Sequence, residues 1–217
     1  MDRIEISPRI TRRTGLLALL SAPLAGCSAA GLLDAVVPRG SYRGREGVPY
    51  GGDSRQRLDV FLPLQPANAA PLVVFFYGGS WTRGDRADYR FVGEALASAG
   101  VVTVVADYRL SPQVRYPEFL ADCALAMKWA FDHARELGAD EGRVHVMGHS
   151  AGAYNAAMLA LDARWLAAAG LTPQRLAGWI GLAGPYDFLP IVNPDARVAF
   201  DWPATAPDTQ PIAHATS

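Results

Sequence analysis

The residues of this chain whose types and spacing could do chemistry are a serine between two glycines and a small-residue loop that follows a run of apolar residues. The first is Gly148-His149-Ser150-Ala151-Gly152, a GxSxG pattern. Its physical content is a strand that stops abruptly and turns into a helix, leaving the serine hydroxyl exposed above a sheet. Gly148 and Gly152 stand where strand and helix cross, and a Cβ there would push the serine out of line. A serine hydroxyl is a poor nucleophile until a base takes its proton, and the tetrahedral intermediate it forms needs donors aimed at its oxyanion. Ala151 offers one backbone N–H at a helix start, where the helix dipole also favours negative charge. The loop Tyr77-Gly78-Gly79-Ser80-Trp81 offers more, with the N–H groups of Gly79 and Ser80 the better candidates.

These groups must be positioned by elements, and the hydrophobic pattern supplies them. Val144, Val146 and Met147 form a buried-strand run before the serine turn, and the stretch from Ala151 to Ala169 is rich in helix formers, ending at Gly170. Leu72 to Tyr77 and Val101 to Ala106 are continuous apolar runs that read as strands buried on both faces. Arg57 to Leu62 alternates Leu58, Val60 and Leu62 against Asp59 and Phe61, which predicts a half-exposed strand. Tyr42 to Val48 is its expected hairpin partner through the turn at Gly51-Gly52-Asp53. Helices are expected from Arg86 to Ala99 and from Pro117 to Leu137, and a sixth strand from Leu176 to Ala183. Strands alternating with helices imply parallel pairing with right-handed crossovers, hence a three-layer α/β/α sandwich with a mostly parallel sheet. Ligands in such sheets bind at the carboxyl ends of the strands. The loops at residues 77–85 and 107–116 and the serine turn would then gather at one edge, with Trp81, Tyr108 and Tyr116 as either an aromatic lining or core packing.

Taken in order, YGGSW at Tyr77, DYRLSP at Asp107, YPEFLADCALAMKW at Tyr116 and GHSAG at Gly148 resemble the α/β-hydrolase superfamily, near the carboxylesterases and the kynurenine-formamidase-like acyl hydrolases. Those proteins carry HGGxW, YRLxP and GxSxG in this order, and the likeness covers roughly residues 57–190. The resemblance implies cleavage of carboxylic esters or small amides through an acyl-enzyme on Ser150, with no cofactor and no metal. Tyr77 departs from the family by replacing the His of HGGxW.

The resemblance also implies an acid after strand seven and a histidine after strand eight. Between Ser150 and Ser217 there is room for one helix, one strand and an irregular Pro-rich tail, so the sheet is expected to be incomplete after strand six. His133 and His145 precede the serine, with His145 placed inside a buried strand, and His149 lies within the turn, facing away from the hydroxyl. A rescue on this fold would use Asp187 as the acid and His214 as the base, although a chain end is a poor support for a base and Asp187 is more simply a turn residue. The tail prolines Pro203, Pro207 and Pro211 suggest an exposed or lid-forming segment. A second reading therefore stands beside the enzyme: a non-catalytic surface lipoprotein, or truncated pseudo-enzyme, that keeps the hydrolase core.

The N-terminus bears on location. Arg3, Arg9, Arg12 and Arg13 form a positive region before a short apolar stretch that ends in Leu24-Ala25-Gly26-Cys27, which resembles a bacterial lipobox. Residues 1–26 then read as a lipoprotein signal peptide, Cys27 as the lipidated residue, residues 27–40 as a tether and residues 41–217 as the hydrolase domain. Ser28 after the cysteine implies passage to the outer membrane. Export through the general or the twin-arginine route stays open. With Cys27 lipidated, Cys123 has no partner for a disulfide and reads as a core thiol in step with Leu120, Met127 and Phe131. The formal charge of −1, a single lysine at Lys128 and scattered arginines give no basic patch, which excludes nucleic acid as a partner class. The expected partners are a small-molecule ester or amide and, through Cys27, a membrane.

Overall fold

The computed structural model describes residues 37–38, 40–65 and 69–215, so Cys27 and residues 1–26 lie outside the described residues. Its six strands, β1 (Tyr42–Pro49), β2 (Arg57–Pro63), β3 (Ala70–Phe76), β4 (Val102–Ala106), β5 (Ala139–His149) and β6 (Gly178–Leu182), form one sheet in the order β1-β2-β4-β3-β5-β6. Strands β4, β3, β5 and β6 are parallel, whereas β1 pairs antiparallel with β2 and β2 antiparallel with β4. The crossovers carry α1 (Arg90–Ser98), α2 (Glu118–His133), α3 (Ala151–Leu161) and α4 (Ala163–Ala168), and α5 (Pro194–Ala199) follows β6.

Side-chain parity shows how the layers close. Phe61 of β2 meets Gly93 of α1 so closely that a Cβ there would stand 2.4 Å from the phenyl ring. This covers the face of Phe61 and its register partner Thr103. The opposite face, carrying Leu72, Val74, Val144 and Val146, lies under α2 and α3. The expectation that β2 is half-exposed is therefore wrong: Asp59 and Phe61 are both buried, because α1 packs on Phe61 and Asp59 is paired with Arg86 at 2.8 Å.

Four other expectations are corrected. The helix expected from Ala151 to Ala169 is two helices, broken at Asp162, whose backbone is extended and whose carboxylate accepts from Arg164 N at 3.1 Å as the N-cap of α4. The stretch from Arg86 begins as a 3₁₀ turn to Tyr89 before α1. His145 is half-buried, since α1 packs on the β1, β2 and β4 side of its face and leaves β5 and β6 beyond it uncovered. The tail is not a free lid. Thr209, Gln210 and Pro211 are buried, and the Thr209 carbonyl accepts from the Tyr154 hydroxyl of α3 at 2.7 Å. Cys123 is buried in the core, as its helical phase predicts, and burial holds its thiol well above the usual range and so unreactive.

Candidate active site

At the carboxyl edge of β5 the chain turns on Ser150, whose φ of 52° and ψ of −119° lie in a region that non-glycine residues rarely adopt. The turn is held from both sides. Ser150 N donates to the Leu182 carbonyl of β6 at 2.8 Å, and its own carbonyl accepts from Ala153 N at 2.9 Å and Tyr154 N at 3.1 Å, the first bonds of α3. A Cβ on Gly148 would lie 2.1 Å from Gly152 O, and one on Gly152 would lie 2.0 Å from Phe76 O. No larger residue fits at either position without moving backbone. Ser150 does not spend its hydroxyl on capping α3, so the group is directed to the cleft rather than to its own helix.

Opposite stands the loop that leaves β3. The Gly79 carbonyl accepts from Thr82 N and Arg83 N, both at 3.1 Å, which turns it inward. In a planar trans peptide the Ser80 N–H points the other way, and Ser80 lines the cleft. Ser80 and Trp81 both have positive φ, at 52° and 60°. Trp81 is buried, donates from Nε1 to Asn155 Oδ1 of α3 at 3.0 Å, and packs among Phe119, Tyr154, Phe188 and Phe200.

The Tyr77 side chain braces this loop in place of the family's histidine. Its hydroxyl donates to Asp107 Oδ1 at 2.7 Å, and its ring stacks between Tyr89 and Tyr108, with centroids 5.6 and 5.0 Å away. The Tyr108 hydroxyl donates to the Tyr77 carbonyl at 2.9 Å. Burial, reinforced by the Asp107 charge, pushes the Tyr77 phenol well above its ordinary value, so it stays a protonated donor. Burial also lifts the Asp107 carboxyl, and the hydrogen bonds from Tyr77 and Arg86 offset this only in part. Arg86 joins the group through Asp107 and through Asp59.

Between the loop and the turn lies a cleft of about 340 Å³. Ser150 and Ala151 line it from the turn, Ser80 and Trp81 from the loop, and residues 183–196, including Phe188, Ile191 and Val192, complete the lining. Of the three oxyanion candidates, Ser80 and Ala151 line the cleft, and Gly79 supports it from behind. Trp81 does line the site, whereas Tyr108 is core packing and Tyr116 belongs to the aromatic cluster beneath, stacked on Phe200.

The triad drawn through Asp187 and His214 is not assembled. Asp187 is exposed and turned out of the cleft, although Pro185 and Phe188 on either side line it. His214 Nε2 sits against the Asp208 carbonyl at 2.7 Å and 3.6 Å from Asp162. Asp162 caps the far end of α3, a helix of 11 residues, which places it about 18 Å along the axis from Ser150. The buried tail binds the side of α3 and carries its histidine away from the elbow. Among the described residues no histidine or carboxylate lines the cleft, and no group of three His, Cys, Asp or Glu is placed to hold a metal ion.

A mostly parallel sheet between helical layers, with a strained serine where β5 gives way to α3, defines the class: this is the α/β-hydrolase fold of the carboxylesterases. Within that class the BD-FAE family model matches residues 58–199, and the chain belongs to this family. It is 30% identical over 153 residues to an isoprenylcysteine alpha-carbonyl methylesterase of Arabidopsis thaliana, covering 69% of this chain and 36% of the relative. It is 36% identical over 124 residues to the esterase LipC of Mycobacterium tuberculosis, covering 56% and 31%. The chain thus spans about a third of the length of these curated relatives. Among solved structures, the metagenomic carboxylesterase EstE1 superposes with a TM-score of 0.61 at 28% identity, covering 75% of this chain and 53% of that one. Esterase 2 of Thermogutta terrifontis gives 0.63 at 25%, covering 80% and 67%.

Proposed function

We propose that this chain carries the nucleophile and oxyanion donors of a carboxylic ester hydrolase that works through an acyl-enzyme on Ser150. The observation that carries the reading is the strained Ser150 lining one small cleft together with Ser80 and Ala151. The names of these relatives, both ester hydrolases, support a small carboxylic ester as the substrate class. In this mechanism Ser150 Oγ attacks the carbonyl carbon and the oxygen gains charge between the N–H groups of Ser80 and Ala151, with Gly79 holding the first of these in place. Attack requires a base within hydrogen-bond reach of Oγ. Among the described residues no histidine or carboxylate lines the cleft to supply it. The test is the rate at which a fluorophosphonate modifies the folded chain: Ser150 is the expected site by mass spectrometry, and Ser150→Ala should abolish the modification.

One observation favours the second reading, a non-catalytic protein on the hydrolase core: the cleft has no histidine or carboxylate lining among the described residues. Oxyanion donors and binding alone leave roughly 10³ to 10⁴-fold acceleration over water when triad members are absent. Labelling no faster than that of an ordinary surface serine would decide for this reading.

We further infer that Cys27 is lipidated and holds the domain at the bacterial outer membrane, on the strength of the Leu24-Ala25-Gly26-Cys27 sequence. Cells grown on labelled palmitate should label the protein, and Cys27→Ser should remove the label. Retention of label in the variant would discard the anchor.

A further inference from the structure

The oxyanion loop departs at Tyr77 and closes at Gly84, and one side chain from another part of the sequence grips both ends. Arg55 lies in the turn between β1 and β2. Its Nη2 donates to the Tyr77 hydroxyl at 2.6 Å and to the Gly84 carbonyl at 2.8 Å, and its Nε donates to the Tyr108 carbonyl at 3.1 Å. One planar guanidinium therefore spans the start of the loop, its end and the segment that follows β4. The turn that presents it is itself fixed. Arg55 N donates to Asp53 Oδ1 at 2.8 Å, Tyr50 N donates to the Gln56 carbonyl at 3.0 Å, and the Tyr50 hydroxyl donates to the Asp107 carbonyl at 2.6 Å. Gln56 Nε2 donates to the buried Asp122 at 2.8 Å. Little freedom is left for the arginine to lose when it makes its bonds.

We propose that Arg55 is a positioning residue for the oxyanion loop: its guanidinium sets the separation of Tyr77 from Gly84 and thereby the aim of the Ser80 N–H across from Ser150. The proposal rests on the reading of Ser150 as the nucleophile. Its physical basis is the linkage just described, since the direction of the Ser80 N–H follows from the Gly79 peptide plane and that plane is fixed by a turn whose two ends Arg55 joins. Lysine cannot substitute, because a single ammonium has no fork to span acceptors on three segments.

The test compares the full chain with Arg55→Ala and Arg55→Lys. The first readout is the rate of Ser150 modification by a fluorophosphonate, whose phosphoryl oxygen occupies the oxyanion position. Arg55→Ala should slow it about 10 to 100-fold, the scale set by misplacing a donor. Low-millimolar guanidinium, but not sodium chloride at equal ionic strength, should recover several-fold of the loss, and Arg55→Lys should remain slow. The second readout needs no reactivity: amide exchange at Thr82 and Arg83, the donors to Gly79, should rise in Arg55→Ala and fall again with guanidinium. An unchanged rate with unchanged exchange overturns the proposal. So does a slower rate that follows a lowered melting temperature and that guanidinium does not restore, because that is a general loss of stability. Should the parent chain react no faster than Ser150→Ala, the proposed function fails. The exchange measurement then decides the Arg55 proposal alone, guanidinium-reversible loosening supporting it and unchanged exchange overturning it.

Discussion

The two edges of the sheet are built on opposite rules. The β1 edge carries Arg43, Arg45 and Glu46 in a largely exposed strand, has a register shift between Arg45 and Val48, and ends at Pro49. Charge, a bulge and proline are the devices by which a strand edge avoids pairing with another chain. The β6 edge has none of them. From Leu176 to Tyr186 the sequence contains no charged residue, and Trp179, Ile180 and Leu182 are exposed at 37%, 41% and 44%. The composition of β6 is that of an interior strand, yet among the described residues it pairs on one side, with β5. One edge is finished against water and the other has the character of a surface made to be covered.

The largest effect should separate β6 from the core beside it. Leu72, fully buried in β3, should cost about 2 to 5 kcal/mol on truncation to alanine, read as a shift of the denaturant midpoint at constant slope. Leu182→Ala, at a residue of the same type nearly half exposed, should cost under about 1 kcal/mol. Comparable costs would mean that β6 is packed in solution. A smaller effect on stability, but a visible one on association, is expected for Ile180→Lys with Leu182→Lys: binding of a hydrophobic dye and light scattering should both fall, with the melt nearly unchanged. If the parent chain is already monodisperse and binds no dye, the contrast between the edges has no consequence in solution. The smallest effect belongs to the guarded edge. Arg45 pairs with Glu136 at 3.0 Å with both side chains more than half exposed, so Arg45→Val should change stability by no more than about 0.5 kcal/mol. Scattering should nonetheless rise, since the substitution removes a charge from the edge.

The sequence announces some of this and conceals the rest for identifiable reasons. The elbow is legible because its geometry admits so few residues: Gly148 and Gly152 abut backbone carbonyls, and a serine between them has little other use. The buried strands β3 and β4 are legible from unbroken apolar runs. Phe61 and Asp59 were hidden because alternation in β2 reports one face only, and the cover on the other face comes from α1 and Arg86, distant in sequence. The break at Asp162 had a signal, an N-capping residue within a helical pattern, but helix formers on both sides outweighed it. Arg55 had no signal at all. Between a serine and a glutamine it reads as surface charge, and its role arises only when the turn is folded onto the end of β4.

The strained backbone at Ser80 and Ser150 also bears on how this protein can be improved by engineering. A search for stabilising substitutions that scores each position by its φ would include both residues among the non-glycine positions at positive φ, because glycine relieves about 1 kcal/mol of strain wherever a side chain is held there. Ser150→Gly removes the hydroxyl itself. Ser80→Gly keeps the N–H but releases the peptide that aims it, giving a hardier protein with a blunter site. Thermal shift alone would rank both as successes, so, under the proposed function, selection for stability in this fold has to exempt these two positions.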